Sequence, residues 1–390
     1  MPFRSPVQRL RLRWPRHTTL IQAAVLLLIA GAVAFAVVNT LANIERLNIR
    51  TGFEFLTRPA GFDIAQRLIP YTERSSYLSV FVVALLNTIV LTVVAGTLAT
   101  ILGFVIGLGR LSSNRLVAAV AAAYVEVVRN VPLLLQLFYW YFAVLRPLPP
   151  PRQSLGLFDV VFLNNRGLYV PTPVFGPGVT AVLLALLMGL VGAVVVGVVA
   201  HRHRVRTGRR WPAGWLMCGL VLAPPVAVAF VNGFSLSWDV PVLTGFNFRG
   251  GVAIIPEFVA MTVALSLYGA SYIAEIVRAG VQAVPLGQKE AALALGMRNR
   301  LVVTKIVVPQ ALRVILPPLG GQYIQLLKNS SLAAAIAYPD LMLIFAGTVL
   351  NQTGQPLEVM IITMATYLLL GLAIAAAVNL YNRRIARVER

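Results

Sequence analysis

Five stretches of this chain run without a charged side chain for well over a helix-length of membrane, at 18–44, 75–109, 167–200, 211–238 and 359–382. A helix needs about 20 apolar residues to cross the hydrocarbon of a bilayer, so each stretch predicts a membrane span. Three further candidates carry a polar break. They are 116–145, interrupted by Glu126 and Arg129; 250–274, with Glu257 near its outer end; and a segment from near Val314 through Lys328. The pattern therefore predicts an all-α polytopic membrane protein of about eight transmembrane helices. Strict alternation of apolar and polar positions is missing, which argues against a barrel. The stretch 146–173, rich in proline, asparagine and glycine, reads as an external loop.

Composition agrees. Of 390 residues, 58% are apolar and 12% charged, against about a quarter charged in a soluble domain. Disorder, a secreted disulfide scaffold and an ordinary cytosolic enzyme are excluded. The formal net charge of +20 would by itself suggest a nucleic-acid partner. Its distribution does not. With the N-terminus inside, 22 basic residues fall on inside segments and 9 on outside ones, and only Arg129 and Lys328 lie at membrane depth. That asymmetry orients the chain with both termini inside and disperses the arginines among turns, so no nucleic acid is expected. The run 201–210, with His201 and His203 among its arginines, reads as a turn that meets lipid headgroups, and Tyr139, Trp140 and Tyr141 as an interfacial aromatic anchor. One cysteine, Cys218, excludes a multi-thiolate metal site, three histidines leave almost no material for zinc or iron, and no cofactor is called for. The scarcity of lysine (Lys289, Lys305 and Lys328 alone) suits a GC-rich bacterial genome. The basic N-terminus and Ala32-Val33-Ala34 have the look of a signal peptide, but the 18–44 run is longer than an h-region of about 7–15 residues. It is expected to stay as a span.

Three sets of polar residues stand out within this frame. Glu126 and Arg129 are three apart on one helix face, able to pair or to face a cavity. Pro132 follows, where a missing amide breaks the helix and frees carbonyls for a ligand. A charge at the bilayer centre costs about 2.5–3.5 kcal/mol on insertion scales, so such groups mark a pathway or a pair. The second set is Gln325, Lys328, Asn329 and Ser330, with Gln325 and Asn329 four apart on one face; it suits pore lining or helix-to-helix hydrogen bonding equally. Glu275 and Arg278 form a third set where a span enters the cytoplasm.

The longest cytoplasmic loop, 279–313, holds Glu290-Ala291-Ala292, then Gly296, then Pro309. Alanine gives helix propensity with little bulk, and Gly296 can take the left-handed conformation that ends a helix. A short helix, a glycine stop and a second helix bounded by Pro309 are expected, forming a small-sided projection suited to a groove in another protein.

This string resembles the EAA loop in membrane subunits of bacterial ABC importers. The likeness continues through Pro309-Gln310-Ala311-Leu312-Arg313, Pro317 and Lys328-Asn329-Ser330-Ser331-Leu332. An upstream block matches too: Asn87-Thr88, Arg110-Leu111-Ser112, and the run from Tyr124 to Leu134. The two blocks cover about 86–141 and 258–382 and are similar to the polar amino-acid uptake branch. The chain departs from the short five-span form of that branch by an added N-terminal span, a polar stretch at 43–74 and an insert at about 146–250. That enlarged plan resembles the first permease subunits of general L-amino-acid, or glutamate/glutamine/aspartate/asparagine, uptake systems of Gram-negative bacteria.

The resemblance implies a type I importer-like core in a bacterial inner membrane. Its parts would be 1–76 (N-terminus, first span and periplasmic segment), 77–145 (two core spans), 146–250 (an insert with two spans) and 251–390 (three core spans with the coupling loop). It implies that Glu290, Ala291, Ala292, Gly296 and Pro309 belong to a loop that docks a cytoplasmic ATPase dimer. A second homologous permease subunit, a periplasmic amino-acid-binding protein and membrane lipid complete the partners, and transport proceeds by alternating access. No GxxxxGK[ST] string occurs, so nucleotide hydrolysis is expected in the partner and no catalytic residue here. An ion-gradient-driven secondary transporter is the alternative; it leaves the EAA-type loop unexplained and would want inverted repeats.

Overall fold

The computed structural model describes residues 16–47, 50–176, 178–208, 212–231 and 235–386. Arg4, Arg9, Arg11, Arg13, Arg209, Arg210, Arg387 and Arg390, counted above as inside charges, lie outside them.

Helix α1 (Arg16–Arg46) leads to a polar segment and then to α2 (Tyr77–Gly109), whose N-cap Ser76 accepts from the Ser79 amide. Next come α3 (Arg115–Asn130) and α4 (Leu133–Phe138), the latter prolonged by a wide π turn, Tyr139–Leu145. The insert supplies α5 (Val179–Thr207) and α6 (Ala213–Val231). The core resumes with α7 (Pro256–Gln282), α8 (Leu286–Ala294), α9 (Asn299–Val302) and α10 (Val308–Asn329), and ends in α11 (Leu350–Thr353) and α12 (Pro356–Ala386). Among the described residues, seven helices are long and apolar enough to cross a membrane, or eight if α3 and α4, bent by 102°, count as one broken span. The bend falls at Val131-Pro132, where the proline was expected to break the helix.

The bundle is assembled on α2 and α7. Small residues recur along one face of α2 (Gly96, Ala99, Gly103, Gly107), and α7 answers with Gly269, Ala270 and Ala274. A Cβ at Gly103 would lie 2.6 Å from the Cβ of Ile273, and one at Gly107 would lie 2.7 Å from the Ala274 carbonyl oxygen. Between membrane helices, where lipid is as apolar as any side chain, such close backbone approach is what gives association its dispersion energy. Helix α10 packs on the same pair, with Leu326 against Gly269 and Ile315 against Gly280, and α12 closes over Gly320 through Val378.

The segment between α1 and α2 is not a free linker. Phe55, Ile64 and Tyr71 are buried against Tyr77, Phe345 and Val359, so it caps the end of the bundle where α2 begins and α12 starts. Gly52 donates its amide to Glu358 at 2.6 Å. Helix α1 itself is exposed along Leu20–Arg46.

Helices carry the fold, but the described residues between 155 and 254 also form eight short strands that hydrophobic patterning did not anticipate. The expected loop at 146–173 contains β1 (Leu155–Leu157), β2 (Val161–Asn164) and β3 (Gly167–Val170). With β8 (Val252–Ile254) they make one antiparallel sheet in the order β1-β2-β3-β8. Strand β4 (Thr172–Phe175) pairs β5 (Leu236–Asp239), and β6 (Val242–Thr244) pairs β7 (Asn247–Arg249). Phe248 stacks on Phe162 at 4.6 Å and meets Tyr169 at 5.0 Å, giving the sheet a small aromatic core. The uncharged runs 167–200 and 211–238 are thus each part strand and part span. Residues 167–175 are apolar because they are β-branched and aromatic in short strands, and the membrane helix starts only at Val179. A paired 29- and 19-residue hairpin, α5 and α6, follows.

The α2–α7 contact gives a direct test. Gly103→Leu drives a side chain into Ile273 and is expected to cost at least the 1–3 kcal/mol or so of ordinary overpacking. Thermal unfolding of the purified protein should register it as a lowered midpoint, while Gly31→Leu on exposed α1, with open space around it, should leave the midpoint unchanged.

Candidate functional site

The loop 279–313 has the expected first half. Helix α8 runs Leu286–Ala294, and Gly296 follows at φ +78°. The Gly296 amide donates to the Leu293 carbonyl at 2.9 Å and the Met297 amide to that of Ala292 at 3.2 Å. These two bonds form a Schellman cap, which satisfies carbonyls that would otherwise be orphaned at the helix end. Glu290 and Ala291 point to solvent, Ala292 is buried against the rest of the loop, and Leu286 and Leu295 are largely exposed. Gln310 donates to Gln288 and to the Ile306 carbonyl, tying α8 to the root of α10. The result is a short projection with an acid, small residues and bare leucines on its outside.

The second half differs from expectation. Pro309 bounds no separate helix, because 299–336 forms one helical run. A proline nitrogen cannot donate to the carbonyl four residues back. The chain accommodates this by widening the preceding turn, Val303–Val307, to π geometry, in which the Val308 amide reaches the Val303 carbonyl. Pro309 then stands at the start of α10, where a missing amide costs least.

Glu126 and Arg129 both lie on the exposed side of α3, yet among the described residues no ion pair joins them. Arg129 instead sits 4.8 Å over the ring of Tyr272 on α7, a cation–π contact. Tyr272 shares a 3.0 Å hydrogen bond with Tyr268, and Tyr124 donates to the Leu267 carbonyl at 2.7 Å. Nor are the carbonyls freed at Pro132 left for a ligand. Gln136 donates to those of Val128 and Val131 at 2.8 and 2.9 Å, capping the break from within. Of the aromatic anchor, Tyr139 is exposed, but Tyr141 is buried and donates to Glu257 at 2.6 Å.

At the far end of α10, Gln325 donates to Asn329 at 3.1 Å, confirming their shared face. Gln325 and Lys328 are exposed and Asn329 half-buried; Ser330 is buried, with its hydroxyl on the Leu327 carbonyl at 2.7 Å. Here α10 tightens into a 3-10 turn, Ser330–Ile336, that ends at Ala337 with φ +61°. Gln325, Lys328 and Asn329 therefore present a polar face outward from the bundle, just before the helix breaks.

Glu275 has two partners. Arg110, the C-cap of α2, and Arg278 both pair with it, and Arg278 reaches on to Gln282 at 2.5 Å. One carboxylate thus fastens the ends of α2 and α7 immediately before the loop that carries α8. The tyrosine pair and the Arg110 contact escaped the sequence reading. Tyr268 and Tyr272, four apart, were the available signal. Nothing in the sequence ties Arg110 to a residue 165 positions on.

A bundle of tightly packed apolar helices, broken spans with polar faces and one small helical projection define a polytopic membrane transport component. Residues 99–387 match the model of the binding-protein-dependent transport system inner membrane component. The chain belongs to that family and is a permease subunit of the ABC type rather than an enzyme or a secondary transporter. It is 49% identical to the putative amino-acid ABC transporter permease protein YhdX of Escherichia coli over 95% of this chain and 94% of that one. It is 45% identical to the general L-amino acid transport system permease protein AapQ of Rhizobium johnstonii, over 95% and 92%. With the glutamate/glutamine/aspartate/asparagine transport system permease protein BztB of Rhodobacter capsulatus it shares 39%, over 95% and 94%. These matches run through the insert as well as the core.

The glycine cap can be tested apart from transport. Gly296 has open space around it, so Gly296→Ala meets only the backbone penalty of a left-handed L-residue, roughly 1 kcal/mol. Hydrogen exchange at the α8 amides should accelerate in that variant, and less in Gly296→Asn, which tolerates the conformation better.

Proposed function

We propose that this chain is the membrane-embedded subunit of an ATP-driven importer of polar L-amino acids in a bacterial inner membrane. The observation that carries the proposal is the α8 projection, with Glu290 and Ala291 outward and Gly296 closing it, on a permease-family chain whose relatives are named for amino-acid uptake. The excess of basic residues on the same side supports a cytoplasmic position for α8. There its small outer surface fits a cleft of an ATPase dimer, which supplies the hydrolysis this chain lacks a motif for.

The core then acts as one half of a pore. A second, homologous permease subunit supplies the other half, and a periplasmic binding protein delivers substrate and sets most of the specificity. Movement of α8 passes into α10 through the Gln288–Gln310 contact, and into α2 and α7 through the Arg110–Glu275–Arg278 junction. Glu126, Arg129, Gln325, Lys328, Asn329 and Ser330 are the candidate pathway. Arg129 and Lys328 suit a substrate carboxylate and Glu126 an ammonium.

Reconstitution in proteoliposomes with the ATPase, partner permease and binding protein tests the reading. Amino-acid uptake should require ATP, and Glu290→Lys should abolish it by turning the docking charge over while membrane insertion persists. ATP-independent uptake by this chain alone, or full activity in Glu290→Lys, would sink the proposal.

A further inference from the structure

One buried acid takes no part in the account above. Asp340 lies in the turn between two spans, fully buried, and among the described residues it has no ion pair. The turn is held from several sides. Asn87 on α2 donates to the Pro339 carbonyl at 2.9 Å and to that of Gln66, in the cap, at 2.8 Å. Tyr338 donates to the Asn87 carbonyl at 3.1 Å, and the Leu341 amide donates to Thr88 at 3.0 Å. Asp340 itself accepts from the Leu343 amide at 2.8 Å through Oδ1.

Its other oxygen, Oδ2, lies opposite the hydroxyl of Tyr367 on α12, which is also buried and which faces Asp340, Ser330 and Thr88; among the described residues neither atom makes a well-formed hydrogen bond. Two buried polar groups facing each other across a turn are costly unless they satisfy one another. An ionised carboxylate without a cation would be costlier still. The groups around Asp340 are Tyr338 on its own turn, Tyr367 on α12, Asn87 and Thr88 on α2, and Ser330 at the end of α10. Tyr338 and Tyr367 are the titratable ones, and none of the five is cationic. Burial pushes the Asp340 carboxyl up to about 7.

We propose that Asp340 is a positioning residue carried as a neutral acid, with Oδ1 accepting from Leu343 and a protonated Oδ2 turned to the Tyr367 hydroxyl. In that form it joins α2, α12 and the tightened end of α10 in one knot, and so fixes Ser330 and the adjacent Lys328 and Asn329. The second half rests on the pathway reading; the protonation does not.

The sign for stability follows from the raised value. The contribution of Asp340 is fully present below the unfolded carboxylate range, about 4. It is lost as the pH rises through the folded value of about 7. Asp340→Asn keeps a neutral group of the same shape that can donate and accept. Its thermal midpoint should therefore hold as pH rises over that window, while the wild-type midpoint falls relative to it. Infrared spectra taken at about pH 6, where exposed carboxyls are ionised, should differ between the two proteins by the carbonyl stretch of one protonated carboxylic acid, present in the wild type and missing from Asp340→Asn. Uptake by the assembled importer should be close to wild type in Asp340→Asn and reduced roughly ten-fold or more in Asp340→Ala, which leaves the knot unpaired.

If Asp340→Asn loses as much uptake as Asp340→Ala, or no protonated-acid band separates it from the wild type, the carboxyl is not neutral and the inference fails. Should Asp340→Ala not accumulate, the pH comparison and the infrared band decide alone. Those two readouts are independent of transport, so a failure of the importer reading would leave them standing.

Discussion

Everything in this molecule depends on how closely α2 and α7 approach one another. Inside a bilayer no hydrophobic force pushes helices together, so contact itself must supply the energy. Contact at this range is open only to backbones without bulk between them. Gly103 and Gly107 leave that space, and Ile273, Ala274 and Val277 fill it. Helix α10 then has a firm surface to pack on, α12 has α10, and the α8 projection leaves a platform fixed at its root by Arg110, Glu275 and Arg278. A looser pair would leave each of these polar contacts with a longer gap to span.

The second organising fact is that several polar side chains in the core are spent on holding backbone groups together. Gln136 spends its amide on the carbonyls that Pro132 exposes. Asn87, at the start of the upstream family block, holds the turn at 338–340 together with the cap segment. Glu126, Gln325 and Lys328, by contrast, are on the outside of the bundle.

Much of this was legible in the sequence, for definite reasons. Spans are written in long uncharged runs because a bilayer punishes exceptions, and Gly296 reads as a helix stop because few other residues adopt its backbone. What stayed hidden depended on partners distant in the chain. Glu126 and Arg129 have the right spacing to pair, yet Arg129 lies over the ring of Tyr272 on another helix, which spacing on one helix cannot reveal. Pro309 looked like a boundary because its cost is local, while the π turn that absorbs it is set by neighbours without any signature. The strands of the insert were read as loop and span because three or four apolar residues look alike in either setting.

Strand β3 lies beside β8, with Leu168 opposite Ile254 and Val170 opposite Val252. More than eighty residues, including two membrane helices, are therefore hung from a single antiparallel seam. The core on either side meets the same two adjacent chain ends whatever lies between them. Whatever the hairpin does, its two roots are held at a fixed spacing by backbone hydrogen bonds, so its motion need not pull the bundle apart.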